Sequence, residues 1–160
     1  MTTSSRSILA LAGFLVLSFA ASTIGGLATY PAIPDWYRNL EKPSWTPPSA
    51  VFGPVWTLLY IAMAVAAWLV WKRGGWAAHR GPLTLWIVQL VLNTLWSVLF
   101  FGMRNPALAL GEIALLWLAI LACLLAFWKV SRPAGWLMLP YLAWVSYASA
   151  LNFAIWSLNG

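Results

Sequence analysis

The sequence predicts an all-α membrane protein, a five-transmembrane-helix bundle with a Trp/Pro-rich lid loop between helices 1 and 2. Three observations carry this expectation. Of 160 residues, 62% are hydrophobic and only 8% charged, a balance far from that of soluble domains. Five apolar segments are each long enough to cross the hydrocarbon core of a bilayer, which takes about 20 residues. Between the first two lies Asp35-Trp36-Tyr37-Arg38-Asn39-Leu40-Glu41-Lys42-Pro43-Ser44-Trp45-Thr46-Pro47-Pro48, with two of the chain's three carboxylates, three aromatic rings and three prolines. A flexible connector is rich in Gly and Ser. This one is stiffened by proline and carries rings that need a surface to pack on.

The segments fall at about 7–28, 51–71, 82–102, 106–128 and 134–157, and residues 1–160 read as one membrane domain with the lid at 29–50. Periodicity does not separate helix from buried strand in all-apolar runs, but length does. In the first segment, Arg6 followed by an apolar run and small residues at Ser18 and Ala20 fits a cleaved signal peptide. The uncharged run continuing to Pro34 suits a retained helix better. Ala21-x-x-x-Gly25 and Ser22-x-x-x-Gly26 allow close helix contact, expected within the chain rather than between copies.

The second segment aligns Trp56, Tyr60, Met63 and Ala67 on one face and stops at Lys72-Arg73-Gly74-Gly75. The third aligns Gln89, Asn93, Trp96 and Phe100 and ends at Gly102. The fourth holds Glu112, the one charge inside any segment, and Cys123, which has no second cysteine to pair with. The fifth groups Tyr141, Trp144, Ala148, Leu151 and Asn152. Amides and carboxylates are costly against lipid, so these faces are expected to point into the bundle.

Arg6, Lys72, Arg73, Arg80, Lys129 and Arg132 gather at one end of the bundle, against Arg38, Lys42 and Arg104 at the other. That bias places the N-terminus in the cytoplasm and the lid outside, and favours an inner membrane, with an outer membrane left open. Trp71, Trp76, Trp86, Trp128 and Trp136 then fall near the cytoplasmic face as an aromatic belt. The net charge of +6 is scattered through loops, which argues against nucleic acid. No phosphate-binding glycine loop, paired Cys/His ligand motif or HExxH is present, so no metal and no required cofactor are expected. Three carboxylates in total speak against paired-acid hydrolysis. No internal repeat supports a transporter built from inverted halves.

Chain direction puts Trp56, Tyr60, Trp96, Glu112 and Asn152 in the half of the membrane beneath the lid, with Trp144 near the midplane. Aromatic walls, a few convergent polar groups and a stiff cover describe a site for a flat apolar molecule. Asn93, Gln89 and Asn152 serve equally as interhelical hydrogen-bonding groups, and Trp96 and Trp144 equally as core filler.

Several stretches together resemble the TspO/MBR family of tryptophan-rich sensory and translocator proteins. They are Trp36-Tyr37-x-x-Leu40-x-Lys42-Pro43-x-Trp45-x-Pro47-Pro48, Val55-Trp56-x-x-Leu59-Tyr60, Gln89-x-x-x-Asn93-x-x-Trp96-x-x-x-Phe100-Phe101-Gly102, and Pro140-Tyr141-Leu142-x-Trp144 followed by Ala148 and Leu151-Asn152. The resemblance implies a five-helix bundle, often a homodimer, that binds protoporphyrin IX, heme-like tetrapyrroles and drug-like small molecules, and regulates tetrapyrrole or stress metabolism. It leaves porphyrin or sterol transport as an alternative. It also implies light-dependent protoporphyrin degradation in some members, for which Trp56 and Trp144 are the catalytic candidates. The ligand-binding candidates are Trp36, Tyr37, Arg38, Trp45, Trp56, Tyr60, Asn93, Trp96, Glu112, Trp144, Ala148, Leu151 and Asn152. The sterol motif of animal members requires Tyr and then a basic residue after the final Leu-Asn. Here Phe153 stands at the aromatic site with no basic residue following, which argues against high-affinity sterol binding.

Overall fold

The computed structural model describes residues 3–160. The chain forms α1 (Thr3–Thr29), a one-turn α2 (Ala32–Asp35), α3 (Ser49–Trp71), a one-turn α4 (Gly75–Ala78), α5 (Arg80–Ser97), α6 (Pro106–Val130) and α7 (Arg132–Asn159). Five helices have the length and apolarity to cross a membrane; the shortest spans, of 23 residues, rise about 34 Å. The sequence placed these spans within a few residues and missed the two single turns, which are too short for any periodic signal.

The five long helices alternate in direction and close into a ring. α1 packs on α3 and α5, α3 on α7, α7 on α6, and α6 on α5. The backbones of α3 and α5 stay apart, with α1 packed between them, and the two helices meet through long side chains. Trp68 near the C-terminal end of α3 donates its indole N–H to Ser7 near the start of α1 (2.9 Å), as antiparallel neighbours require. At the same end the α6–α7 turn is tight. A Cβ on Gly135 would lie 2.6 Å from the Trp128 ring and 3.1 Å from its Cα, so only glycine permits the approach.

Gly25 lies against Ser97 of α5, so the small face of α1 is used within the chain, as expected. Trp86 does not join the aromatic belt. It is fully buried and donates to the Met63 carbonyl (3.1 Å), since its position on α5 faces the ring interior. Trp76, Trp128 and Trp136 stay exposed.

The last turn of the α5 rod is where regular geometry breaks down. Val98–Gly102 form a π-helical turn, closed by Met103 N–H to the Val98 carbonyl (2.7 Å). The extra residue in a widened turn brings the consecutive rings of Phe100 and Phe101 both into the interior, 2% and 6% exposed. Arg104 then takes a left-handed φ of 52° to make the short connection to α6. Pro106 opens α6, and Asn105 accepts the Leu108 N–H (3.1 Å) as its cap.

Candidate functional site: a lidded aromatic cavity

The lid is held by named contacts at each end. Lys42 folds back so that its ammonium donates to the carbonyls of Tyr37 (2.8 Å), Leu40 (3.0 Å) and Arg38 (3.3 Å), and sits 4.8 Å from the Tyr37 ring centroid. Asn159 at the end of α7 accepts the Glu41 N–H (3.1 Å) and donates to the Glu41 carbonyl (2.9 Å). Tyr147 donates its hydroxyl to the Trp45 carbonyl, and its ring meets the Trp45 ring edge-on at 5.6 Å. Arg104 pairs with Asp35 at 3.3 Å; both are exposed, so that pair adds little stability.

Beneath the lid lies a cavity of about 1010 Å³ of empty space, part of it open to the surroundings. The part comparable with known protein cavities is about 140 Å³, so a large flat ligand would extend into the open part. α1 supplies Ser22, Gly25, Gly26 and Thr29, with Tyr30 just past its end, and the lid supplies Tyr37. α3 contributes Phe52, Gly53, Trp56, Thr57 and Tyr60; the α5 rod contributes Asn93, Trp96, Ser97, Phe100 and Phe101. α7 completes it with Trp144, Tyr147, Ala148, Leu151 and Ile155. The exposed wall residues are Tyr30, just past the end of α1, and Ser49 and Thr57 of α3, so the opening lies on that side.

The rings of Trp56 and Trp144 stand perpendicular with centroids 6.5 Å apart. Trp96 stacks on Phe100 at 5.1 Å and 25°. Its indole N–H donates to Asn152 Oδ1 (3.0 Å), while Asn152 Nδ2 donates to the Pro106 carbonyl (2.9 Å). Asn152 thereby fixes the plane of Trp96 from behind. At the cavity floor Tyr60 donates to Asn93 Oδ1 (2.9 Å) and Asn93 Nδ2 donates to the Tyr141 hydroxyl (2.6 Å). This chain ties α3, α5 and α7 together with one amide.

Eight of the sequence candidates therefore meet in one wall: Tyr37, Trp56, Tyr60, Asn93, Trp96, Trp144, Ala148 and Leu151. Asn152 and Trp36 stand one layer behind it, Trp36 edge-on to Phe100 at 5.6 Å. Trp45 is not a lining residue and meets the wall at Tyr147. Arg38 lies on an adjoining shallow groove of the lid with Ile33, Pro34 and Lys42, which shares Tyr37 and Ser49 with the cavity wall. The geometry separates Glu112 from the cavity altogether. It belongs to α6, which contributes no wall residue, and its two carboxyl oxygens are buried without a hydrogen-bond partner. Depth was right for Glu112; only the ring order of helices shows that α6 lies behind α5 and α7.

Sequence reasoning missed Tyr147, Phe52 and the α1 wall. The small-residue motif of α1 was the available signal, since a helix face that admits a neighbour's backbone also leaves room for a ligand. Burial, with a smaller push from nearby Tyr147, holds the Tyr37 phenol at about 12. No group of three or more His, Cys, Asp or Glu among the described residues is placed to hold a metal ion.

Comparison with known proteins agrees with this architecture. The model of the TspO/MBR family matches residues 14–157. The chain is 44% identical to the tryptophan-rich protein TspO of Chlorobaculum tepidum, covering 96% of this chain and 98% of that one. It is 40% identical to the protein of the same name from Archaeoglobus fulgidus, over 96% and 99%. It is 43% identical to the human translocator protein over 78% of this chain and 75% of that one. A five-span bundle whose cavity, lid and helix ends carry these aromatic residues, matched by that family over almost its whole length, is a multi-pass integral membrane protein of the TspO/MBR family.

Proposed function

We propose that the protein is a membrane receptor for porphyrins, protoporphyrin IX and heme-like tetrapyrroles in particular, acting in sensing or regulation of tetrapyrrole metabolism. The observation that carries this reading is the cavity itself. Trp56, Trp96 and Trp144 present three indole surfaces around one space, and indoles bind flat π-systems by stacking and by area burial. The names of relatives, a tryptophan-rich sensory protein from Cereibacter sphaeroides and a human translocator protein, fit a sensor or carrier of small molecules. No cofactor is required for binding. Arg38, exposed beside the lid groove, is the cation for a porphyrin carboxylate. Lys42 is committed to lid carbonyls and serves the cover instead. The bilayer is the solvent, an inner membrane with the N-terminus in the cytoplasm is the expected placement, and a homodimer is the expected assembly.

Titration with protoporphyrin IX in the dark, followed by tryptophan quenching, tests the proposal. Saturable quenching that weakens in Trp96→Ala supports it; no binding removes it and leaves the fold intact. Arg38→Ala is expected to weaken protoporphyrin more than an uncharged ligand, and equal losses for both would sink the carboxylate role.

A second reading rests on the perpendicular Trp56–Trp144 pair within the cavity. An excited porphyrin stacked on an indole can take an electron from it without any acid–base pair, leaving a porphyrin radical anion and an indole radical cation; dissolved oxygen is then the oxidant that ring opening requires. A new product spectrum on illumination, absent in Trp144→Phe, would establish this activity. An unchanged spectrum leaves binding alone.

A further inference from the structure

We propose that the end of the bundle opposite the lid is a binding surface for anionic phospholipid headgroups, centred on the α6–α7 turn. All six basic residues at this end, Arg6, Lys72, Arg73, Arg80, Lys129 and Arg132, are exposed. None of the chain's three carboxylates is there: Asp35 and Glu41 lie in the lid and Glu112 in the lid-side half of α6. The surface is thus uncompensated positive charge, and it sits where helices that span a bilayer end.

Two of the cations are mounted on indoles. The Lys72 ammonium lies 4.3 Å from the Trp68 ring centroid, and the Arg132 guanidinium lies 6.0 Å from that of Trp128. Trp128 packs on Trp136 at 5.4 Å, and Trp136 is 59% exposed. An indole holds a cation at interfacial depth, where its ring meets acyl chain and its charge meets phosphate. Lys129 and Arg132 stand three residues apart on the tight connection that Gly135 permits. A leaflet offers phosphate to every one of these groups at once. A nucleic acid or acidic peptide would first have to displace that leaflet.

The test uses the full-length protein in phosphatidylcholine vesicles, with tryptophan quenching by brominated phosphatidylglycerol compared against brominated phosphatidylcholine of identical chains. The matched chains cancel indoles that see only hydrocarbon. Phosphatidylglycerol is expected to quench at lower mole fraction, and Lys129→Gln with Arg132→Gln to reduce its relative affinity by about fivefold per cation removed. The charge-preserving pair Lys129→Arg with Arg132→Lys retains the preference. High salt should erase it in the unaltered protein, a check that does not depend on how well the variants fold. Equal quenching by the two lipids, or a preference untouched by both salt and the double variant, overturns the proposal. So does inorganic phosphate matching the effect by competing the lipid away, because the surface would then read a free anion.

Discussion

Replacing Asn93 by Leu tests whether one amide organises the cavity floor. The side chain keeps the branched outline and heavy-atom count of Asn, with bulkier methyl groups, and loses both ends of the Tyr60–Asn93–Tyr141 chain. Tyr60 and Tyr141 are 5% and 0% exposed, so neither phenol gains water when its partner goes. Interhelical hydrogen bonds within a membrane are worth about 0.6 kcal/mol on average and up to about 1.7, while a stranded buried polar group costs about 1–3 kcal/mol. Two bonds lost together predict a destabilisation of about 1–3 kcal/mol, or a fall in Tm of about 3–10 °C for a chain of this size. The assay is thermal unfolding in detergent micelles, repeated with Tyr60→Phe and the double variant. Coupling of about 0.6–1.7 kcal/mol is expected between the two positions, because they share a bond. An unchanged Tm for Asn93→Leu, or strictly additive losses, would refute the reasoning.

Other outcomes follow from the lid and the helix turns. Lys42→Met frees three lid carbonyls, so hydrogen exchange across residues 29–50 should accelerate while the spanning helices keep their protection. Gly135→Ala drives a methyl into Trp128 and is expected to destabilise by about 1–3 kcal/mol, read as a lower Tm. Tyr37 keeps its proton in the folded lid up to about pH 12, above the ordinary phenol value of about 10. Between those two values the unfolded lid has released the proton and the folded lid has not, so this contribution is complete below pH 10 and is lost as pH rises toward 12. Lid protection should therefore fall over that alkaline window, and Tyr37→Phe should flatten the fall.

Much of the fold was legible in the chain because lipid imposes it. A run of about 20 apolar residues has one low-energy conformation in hydrocarbon, the helix that satisfies its own backbone. Polar residues on such a helix must turn away from lipid, which is why Asn93, Trp96 and Tyr141 could be assigned to the interior from spacing alone. The positions of Trp56, Tyr60, Trp144, Ala148 and Leu151 were legible in the same way, together with the family motifs that contain them, and that of Tyr37 through the lid motif alone.

Depth is one coordinate, however, and a cavity needs two more. The order of helices around the ring is set by side-chain packing between segments far apart in sequence, and no segment carries that order alone. It removed Glu112 from the cavity by placing α6 outside the wall, and it buried Trp86 against Met63 instead of leaving it at the interface. It also turned Tyr147 into the link between cavity and lid through Trp45, and Lys42 from a free lid cation into the clasp of the lid backbone. The sequence by itself determined that this chain has five segments fit to span a membrane and which polar faces turn inward. The tertiary structure alone decided which inward residues share one space, because that depends on which helices become neighbours.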